Sequence, residues 1–310
     1  MSLQLADACT CILVSLILNS CSLNLEFLFL VPNHYLRKKC SLMAMFLRLF
    51  LFLAAIILLF GFISRQIAAS KEWKLVWSDE FDYKGLPDET KWNYDVGGNG
   101  WGNDELEYYT KQRLENARVE NGNLIIEARK ENWEDRKYTS ARLVTKGKAD
   151  WKYGKIEVRA KLPKGVGTWP AIWMLGSTTP LNWPDDGEID IMEHVGFDPG
   201  AIHASVHCKK YNHVIHTQKT AITNVPDFSD AFHIYTVEWD ENSISIFVDA
   251  KKYLEFTNEH SGYDAWPFDQ PMHLLLNVAV GGFWGGQKGV DDSIFPQQML
   301  VDYVRVYQKG

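Results

Sequence analysis

The stretch Gly154–Leu162, GKIEVRAKL, sets Ile156, Val158, Ala160 and Leu162 on one side of an extended chain and Lys155, Glu157, Arg159 and Lys161 on the other. Successive side chains of a strand point to opposite faces, so this period-two pattern predicts a strand with one buried and one wet face. Working outward, LIIEAR (124–129), HIYTVEW (233–239), SISIFVD (243–249) and LVDYVRVYQ (300–308) share its β-branched and aromatic character. Turn clusters separate these runs at Asn121-Gly122, Asp240-Glu241-Asn242 and Asp249-Ala250-Lys251-Lys252, the last two shaped like hairpin connections. No long stretch repeats its apolar residues at the helical period. The pattern therefore predicts an all-β domain, a two-sheet antiparallel sandwich of jelly-roll type, with a barrel as the nearest alternative.

Those strands lie within residues 71–310, a length that suits one large β domain. The chain carries a formal charge of −7, and residues 1–70 hold five basic and two acidic residues, which leaves −10 for the domain. Phosphate recognition needs an excess of Lys and Arg, so a nucleic-acid partner is not expected. Four of the five cysteines precede the domain, and the remaining one, Cys208, reads as a small buried hydrophobe. Residues 1–70 read as a targeting region outside the fold. Leu49–Ile63, LFLFLAAIILLFGFI, is flanked by Arg48 and Arg65 and followed by Ala68-Ala69-Ser70, the pattern of a signal peptide with a small-residue cleavage site. A start at Met43 or Met45 would give that signal its usual short basic beginning. The competing reading counts Cys11–Val31 as a second apolar stretch and anchors the protein in a membrane. A secreted, extracellular or periplasmic location is expected, with membrane anchoring as the alternative.

The chemistry concentrates in WPDDGEIDIMEHVG (183–196). On a strand Glu188 and Asp190 project from one face while Ile189 and Ile191 point to the other. Glu193 breaks the parity: five residues from Glu188, it falls on the buried face of a regular strand, where an unpaired carboxylate is costly. A β-bulge at Ile191-Met192 would insert one residue and return Glu193 to the face of the other two. Three acids in a row repel one another, so one can stay protonated near neutral pH while another is ionised, as glycoside hydrolysis requires. A solvated strand face, or a ligand set for a cation, is the plain alternative.

Further segments carry the same message: WSDEFDY (77–83), GWGNDELEYYT (100–110), GTWPAIWMLG (167–176), YTVEWDENSISIFVD (235–249) and LLLNVAVGGFWGG (274–286). Together with the acid stretch, and over nearly all of residues 72–308, they resemble glycoside hydrolase family 16, in its laminarinase-like branch. The inserted Met192 matches the bulged form of that family's motif. The resemblance implies a concave substrate cleft and a retaining endo-β-glucanase acting on β-1,3-glucan or mixed β-1,3/1,4-glucan, with no metal or redox cofactor in the chemistry. By it Glu188 is the nucleophile, Glu193 the acid and base, and Asp190 an electrostatic helper that hydrogen-bonds the nucleophile. The polysaccharide is the expected partner, and a monomer the expected state.

Sugar rings have apolar faces and a hydroxyl rim, so a glucan cleft needs aromatic platforms among polar groups. Trp169 and Trp173 share parity, and the resemblance places them near the cleaved bond. It makes Trp284, in the Gly-rich loop 281–286, an exposed platform at a more distant sugar, and Asn103, Arg142 and His207 donors and acceptors for hydroxyls. It also implies a structural Ca²⁺ on the convex face, with Glu80, Gly122 and Asp302 at the matching positions. Trp77, Trp92 and Trp239 read as core. His203 and His207, four apart on a strand, share a face, and a metal centre built from them and the acid row is the chemical rival; the Trp-rich surroundings favour sugar. The functional rivals are a non-catalytic β-glucan-recognition protein, a galactan hydrolase such as an agarase or carrageenase, and a transglycosylase.

Overall fold

Every second residue of Gly154–Lys161 is buried, from Gly154 through Ile156 and Val158 to Ala160, with Lys155, Glu157, Arg159 and Lys161 half-buried on the outer face. This strand is β8 in a computed structural model that describes residues 45–47, 49–58 and 72–310. The others are β1 (Trp73–Asp79), β2 (Asn93–Asp95), β3 (Glu107–Tyr109), β4 (Ala117–Glu120), β5 (Asn123–Trp133), β6 (Arg136–Ser140), β7 (Arg142–Val144), β9 (Thr168–Gly176), β10 (Glu188–Glu193), β11 (Ala201–His207), β12 (Lys219–Asn224), β13 (His233–Trp239), β14 (Ser243–Val248), β15 (Lys251–Thr257), β16 (Met272–Val280) and β17 (Gln297–Lys309).

One sheet runs β15-β14-β13-β8-β17-β5-β6-β3, with β1 also on β17 and β4 also on β5; the other runs β12-β11-β10-β9-β16-β7-β2. Pairing is antiparallel except for β3 with β6. The result is the antiparallel sandwich of jelly-roll type that the strand pattern predicts. Its core takes Ile156, Val158 and Val304 from the first sheet and Ile172, Ile189, Leu276 and Val278 from the second, all essentially inaccessible. At roughly 1.5–3 kcal/mol per large apolar side chain removed from water, that shared layer holds the two sheets face to face. β16 is buried at all nine positions, because its outer face is covered as well. There Leu275 joins Val144, Leu175, Trp173 and Trp183 in a small second cluster on the cleft side.

The turns show how local chemistry sets register. Asn121 and Gly122 have φ of 54° and 75° and close a two-residue hairpin between β4 and β5. Asp249 and Ala250 do the same between β14 and β15, at φ of 47° and 65°. That turn is shorter than its sequence suggests, since Lys251 and Lys252 already belong to β15. Two left-handed residues match the twist of the flanking strands.

Trp92 and Trp239 are core residues and Trp77 packs against the core from a half-buried position. Cys208 is buried and free. The chain divides into units of residues 1–71 and 72–310. In the first, residues 45–47 and 49–58 are helical, and Leu49–Leu53 are exposed. No helix among the described residues is long and apolar enough to cross a membrane. Cys11–Val31 and the Ala68-Ala69-Ser70 site lie outside the described residues.

Candidate active site

The acid row depends on one irregularity in β10. Against β9, Glu188 pairs with Leu175 and Asp190 with Trp173, and the register then shifts so that Met192 faces Ile172 and Glu193 faces Ala171. Against β11, Glu188 faces His207, Asp190 faces Ser205 and Glu193 faces His203. The shift is the bulge the parity argument demands: Ile191 and Met192 are both buried in the core, and Glu193 returns to the face of Glu188 and Asp190. Two fully buried side chains anchor the bulge, and Tyr253 of the facing sheet donates its hydroxyl to the Ile191 carbonyl at 3.2 Å.

Each outer glutamate receives one indole N–H. Trp183 donates to Glu188 Oε2 at 2.8 Å and Trp169 to Glu193 Oε1 at 3.0 Å. His207 Nε2 stands 3.2 Å from Asp190 Oδ2 and 3.9 Å from Glu188 Oε1. Burial, then the neighbouring Asp190 charge, pushes Glu188 up to about 8, against the pull of His207 and Trp183. Burial, then Glu188, pushes Glu193 up to about 7. Asp190 is driven well above the usual carboxylate range by burial and by Glu193. The row therefore holds protons near neutrality while part of it is ionised, and those protons belong to the row more than to any one residue.

The other sequence-predicted residues surround this row. Trp169 and Trp173 project from the same face of β9 as the acids do from β10. Arg142 is buried, ion-paired to Asp95 at 3.0 Å, and its guanidinium lies 4.7 Å from the ring centres of both Trp101 and Trp173. Asn103 donates to Glu105 (3.1 Å), and its carbonyl accepts from Phe283 N (2.7 Å), so it abuts the Gly-rich loop. Trp284 differs from its expected placement: it is half-buried, edge-on to Trp169 at 5.5 Å and to His203 at 4.8 Å. Gly281 and Gly282, both at positive φ, fold the loop back onto the row and make Trp284 part of the wall beside Glu193.

Several site residues escape the sequence reading. Trp183 lies in the quoted acid stretch, but only the fold shows that its indole turns back onto Glu188. His213 sits against Trp183 at 5.0 Å and His207 at 5.3 Å. Beneath Trp173 runs a buried chain: Trp173 donates to Asn277 (2.8 Å), Asn277 to Tyr109 (3.0 Å) and Tyr109 to Glu105 (2.9 Å). Tyr109 and Asn277 come from opposite ends of the domain sequence, so no local pattern links them.

Glu80, Gly122 and Asp302 lie on or beside neighbouring strands of the other sheet. The end of β1 pairs with β17 at Val304, and the start of β5, just after Gly122, pairs at Val301, on either side of Asp302. Two carboxylates and a turn carbonyl are the hard donors that Ca²⁺ prefers, so the residues fit such an ion. Glu80 is held by Arg305 through two bonds of 3.0 and 2.8 Å, and Asp302 by Arg159. Those ion pairs are what a cation would have to displace.

Residues 102–305 match the family described as Glycosyl hydrolases family 16. The chain is 59% identical over 244 residues to a beta-glucanase of Rhodothermus marinus, covering 76% of this chain and 85% of that protein. Among solved structures, the laminarinase of Rhodothermus marinus superposes with a TM-score of 0.76 at 58% identity, covering 77% of this chain and 98% of that one. A non-specific endo-β-1,3(4)-glucanase of the same family, co-crystallised with 1,3-β-D-cellotriosyl-glucose, gives 0.75 at 53% identity, covering 77% and 95%.

Proposed function

The chain belongs to glycosyl hydrolase family 16, and from that premise we propose that residues 72–310 form a retaining endo-β-glucanase cleaving β-1,3-glucan or mixed β-1,3/1,4-glucan. The observation that carries the reading is the bulged row, in which Glu188, Asp190 and Glu193 share one face and each outer glutamate is held by an indole N–H.

Glu188 attacks the anomeric carbon through the oxygen that Trp183 leaves free, while Glu193 gives its proton to the departing glycosidic oxygen. The covalent glycosyl-enzyme is then opened by a water that Glu193 deprotonates, and the product keeps its β configuration. Asp190, packed between the two, exchanges a proton and charge with Glu188 as each step changes the row's ionisation. Trp169, Trp173 and Trp284 offer ring faces to the sugars; Asn103, Arg142 and His207 offer hydrogen bonds to hydroxyls. The chemistry uses no cofactor. The apolar residues 49–58 support export through a cleaved signal, which N-terminal sequencing of the mature protein tests.

Incubation with laminarin, reading reducing ends, separates this enzyme from a recognition protein, which would bind the polymer and release none. A panel of laminarin, lichenan, agarose and xyloglucan separates it from galactan hydrolases and transglycosylases. With an activated glycoside and azide, Glu188→Ala is expected to yield the α-glycosyl azide and Glu193→Ala the β-azide. The reverse pattern would exchange the two roles.

A further inference from the structure

We propose that Glu188, Asp190 and His207 also form a binding site for a borderline divalent transition cation, with Zn²⁺ as the type case, and that the ion competes with the glucan for it. One ligand atom from each residue lies within 4.8 Å of the other two. Tetrahedral Zn²⁺ holds its ligands at about 2.0–2.1 Å, which sets neighbouring ligands roughly 3.3 Å apart. His207 Nε2 and Asp190 Oδ2 already stand 3.2 Å apart, and Glu188 Oε1, at 3.9 Å, needs only a small side-chain rotation.

One of these atoms is also short of a partner: Asp190 Oδ2 is buried and makes no hydrogen bond despite its contact with His207. The side chains of Asp190 and His207 are 3% and 7% exposed, so water does not satisfy them freely. Glu188 is oriented for the task by Trp183, whose indole takes Oε2 and leaves Oε1, the oxygen facing His207. One imidazole with two carboxylates and no thiolate suits Zn²⁺, Mn²⁺ or Cu²⁺ better than Ca²⁺ or Mg²⁺, which seek oxygen alone. Among the described residues, the other acid-flanked histidine lacks this convergence. His233 meets Asp249 through Nδ1 and Asp227 through Nε2, opposite edges of the ring that cannot serve one ion.

Competition with substrate rests on the proposed function, because the same carboxylates carry the hydrolysis; binding itself does not. The test titrates the full chain with ZnCl2 by calorimetry and with CoCl2 by visible absorption, where a nitrogen and oxygen site gives d–d bands without thiolate charge transfer. One equivalent is expected in the wild type, weakened by at least about tenfold in both His207→Gln and the near-isosteric Asp190→Asn, each checked for folding by circular dichroism. His233→Gln is expected to leave it unchanged. Zn²⁺ is further expected to raise the apparent KM for laminarin, reversibly on adding chelator. Affinity unaffected by both site variants, or lost in His233→Gln, would overturn the proposal. A His207-dependent ion in a protein that releases no reducing ends would retain this site and remove the hydrolase reading; laminarin hydrolysis without Zn²⁺ binding would do the opposite.

Discussion

Trp183→Phe keeps an aromatic ring beside His207 and His213 and removes one hydrogen bond, the 2.8 Å indole contact to Glu188 Oε2. A hydrogen bond to a charged group contributes about 1.5–3 kcal/mol, which at 1.36 kcal/mol per unit raises the Glu188 pKa by about 1–2 units. The productive form has Glu188 ionised and Glu193 protonated, yet Glu188 sits at about 8 and Glu193 at about 7. Burial and mutual repulsion raise all three acids, so the proton is shared along the row and the productive form competes with forms protonated at Glu188 or Asp190. Making Glu188 still more basic lowers that form in proportion. In kcat/KM on laminarin from acid to alkaline pH, the maximum should fall several-fold, and by up to about 100-fold at the upper end of that shift. The alkaline limb should move up by about 1–2 units and the acid limb stay near 7, with variant and wild type converging at high pH. An unchanged maximum, or movement of the acid limb instead, would refute this account of how the row is protonated.

Glu188→Gln should stabilise the fold most at high pH. A carboxyl whose folded pKa is raised from 4.5 to about 8 contributes stability below 4.5 that is lost as pH rises through 8. The melting-temperature difference between variant and wild type should thus grow from pH 5 to pH 9, and a constant difference would contradict it. Gly196→Ala should cost more than about 4 kcal/mol in denaturant unfolding, because its Cβ would lie 1.8 Å from the Gly165 carbonyl, a backbone atom that cannot step aside; a loss below about 1 kcal/mol would show that the loop yields. Millimolar Ca²⁺ is expected to raise the melting temperature over a chelated sample, and Asp302→Ala to abolish the rise. No calcium dependence in the wild type would remove the ion from Glu80, Gly122 and Asp302.

The sandwich was legible wherever a strand has one wet face: in β8, β13 and β14 the chain itself alternates. It was less legible in β16, where burial on both faces erases the alternation, and in β12, whose polar KTAITN run pairs only with β11. The bulge was legible because Glu193 violates parity, a local contradiction with few remedies. What sequence could not supply was convergence. Trp183 reaches Glu188 only through the fold of its loop, Tyr109 and Asn277 are 168 residues apart, and Trp284 is drawn inward by glycine conformations that leave no trace in hydropathy.

The two indoles that brace the row have one further property. An indole nitrogen donates a hydrogen bond but can neither accept one nor ionise in water. Had a lysine, histidine or tyrosine occupied the position of Trp169 or Trp183, it would have offered the glutamate's proton somewhere else to go. The tryptophans act as insulators: they steady negative charge on Glu188 and Glu193 while conducting no protons away. Proton traffic is thereby confined to the acids, the histidine beside them, the sugar oxygen and water.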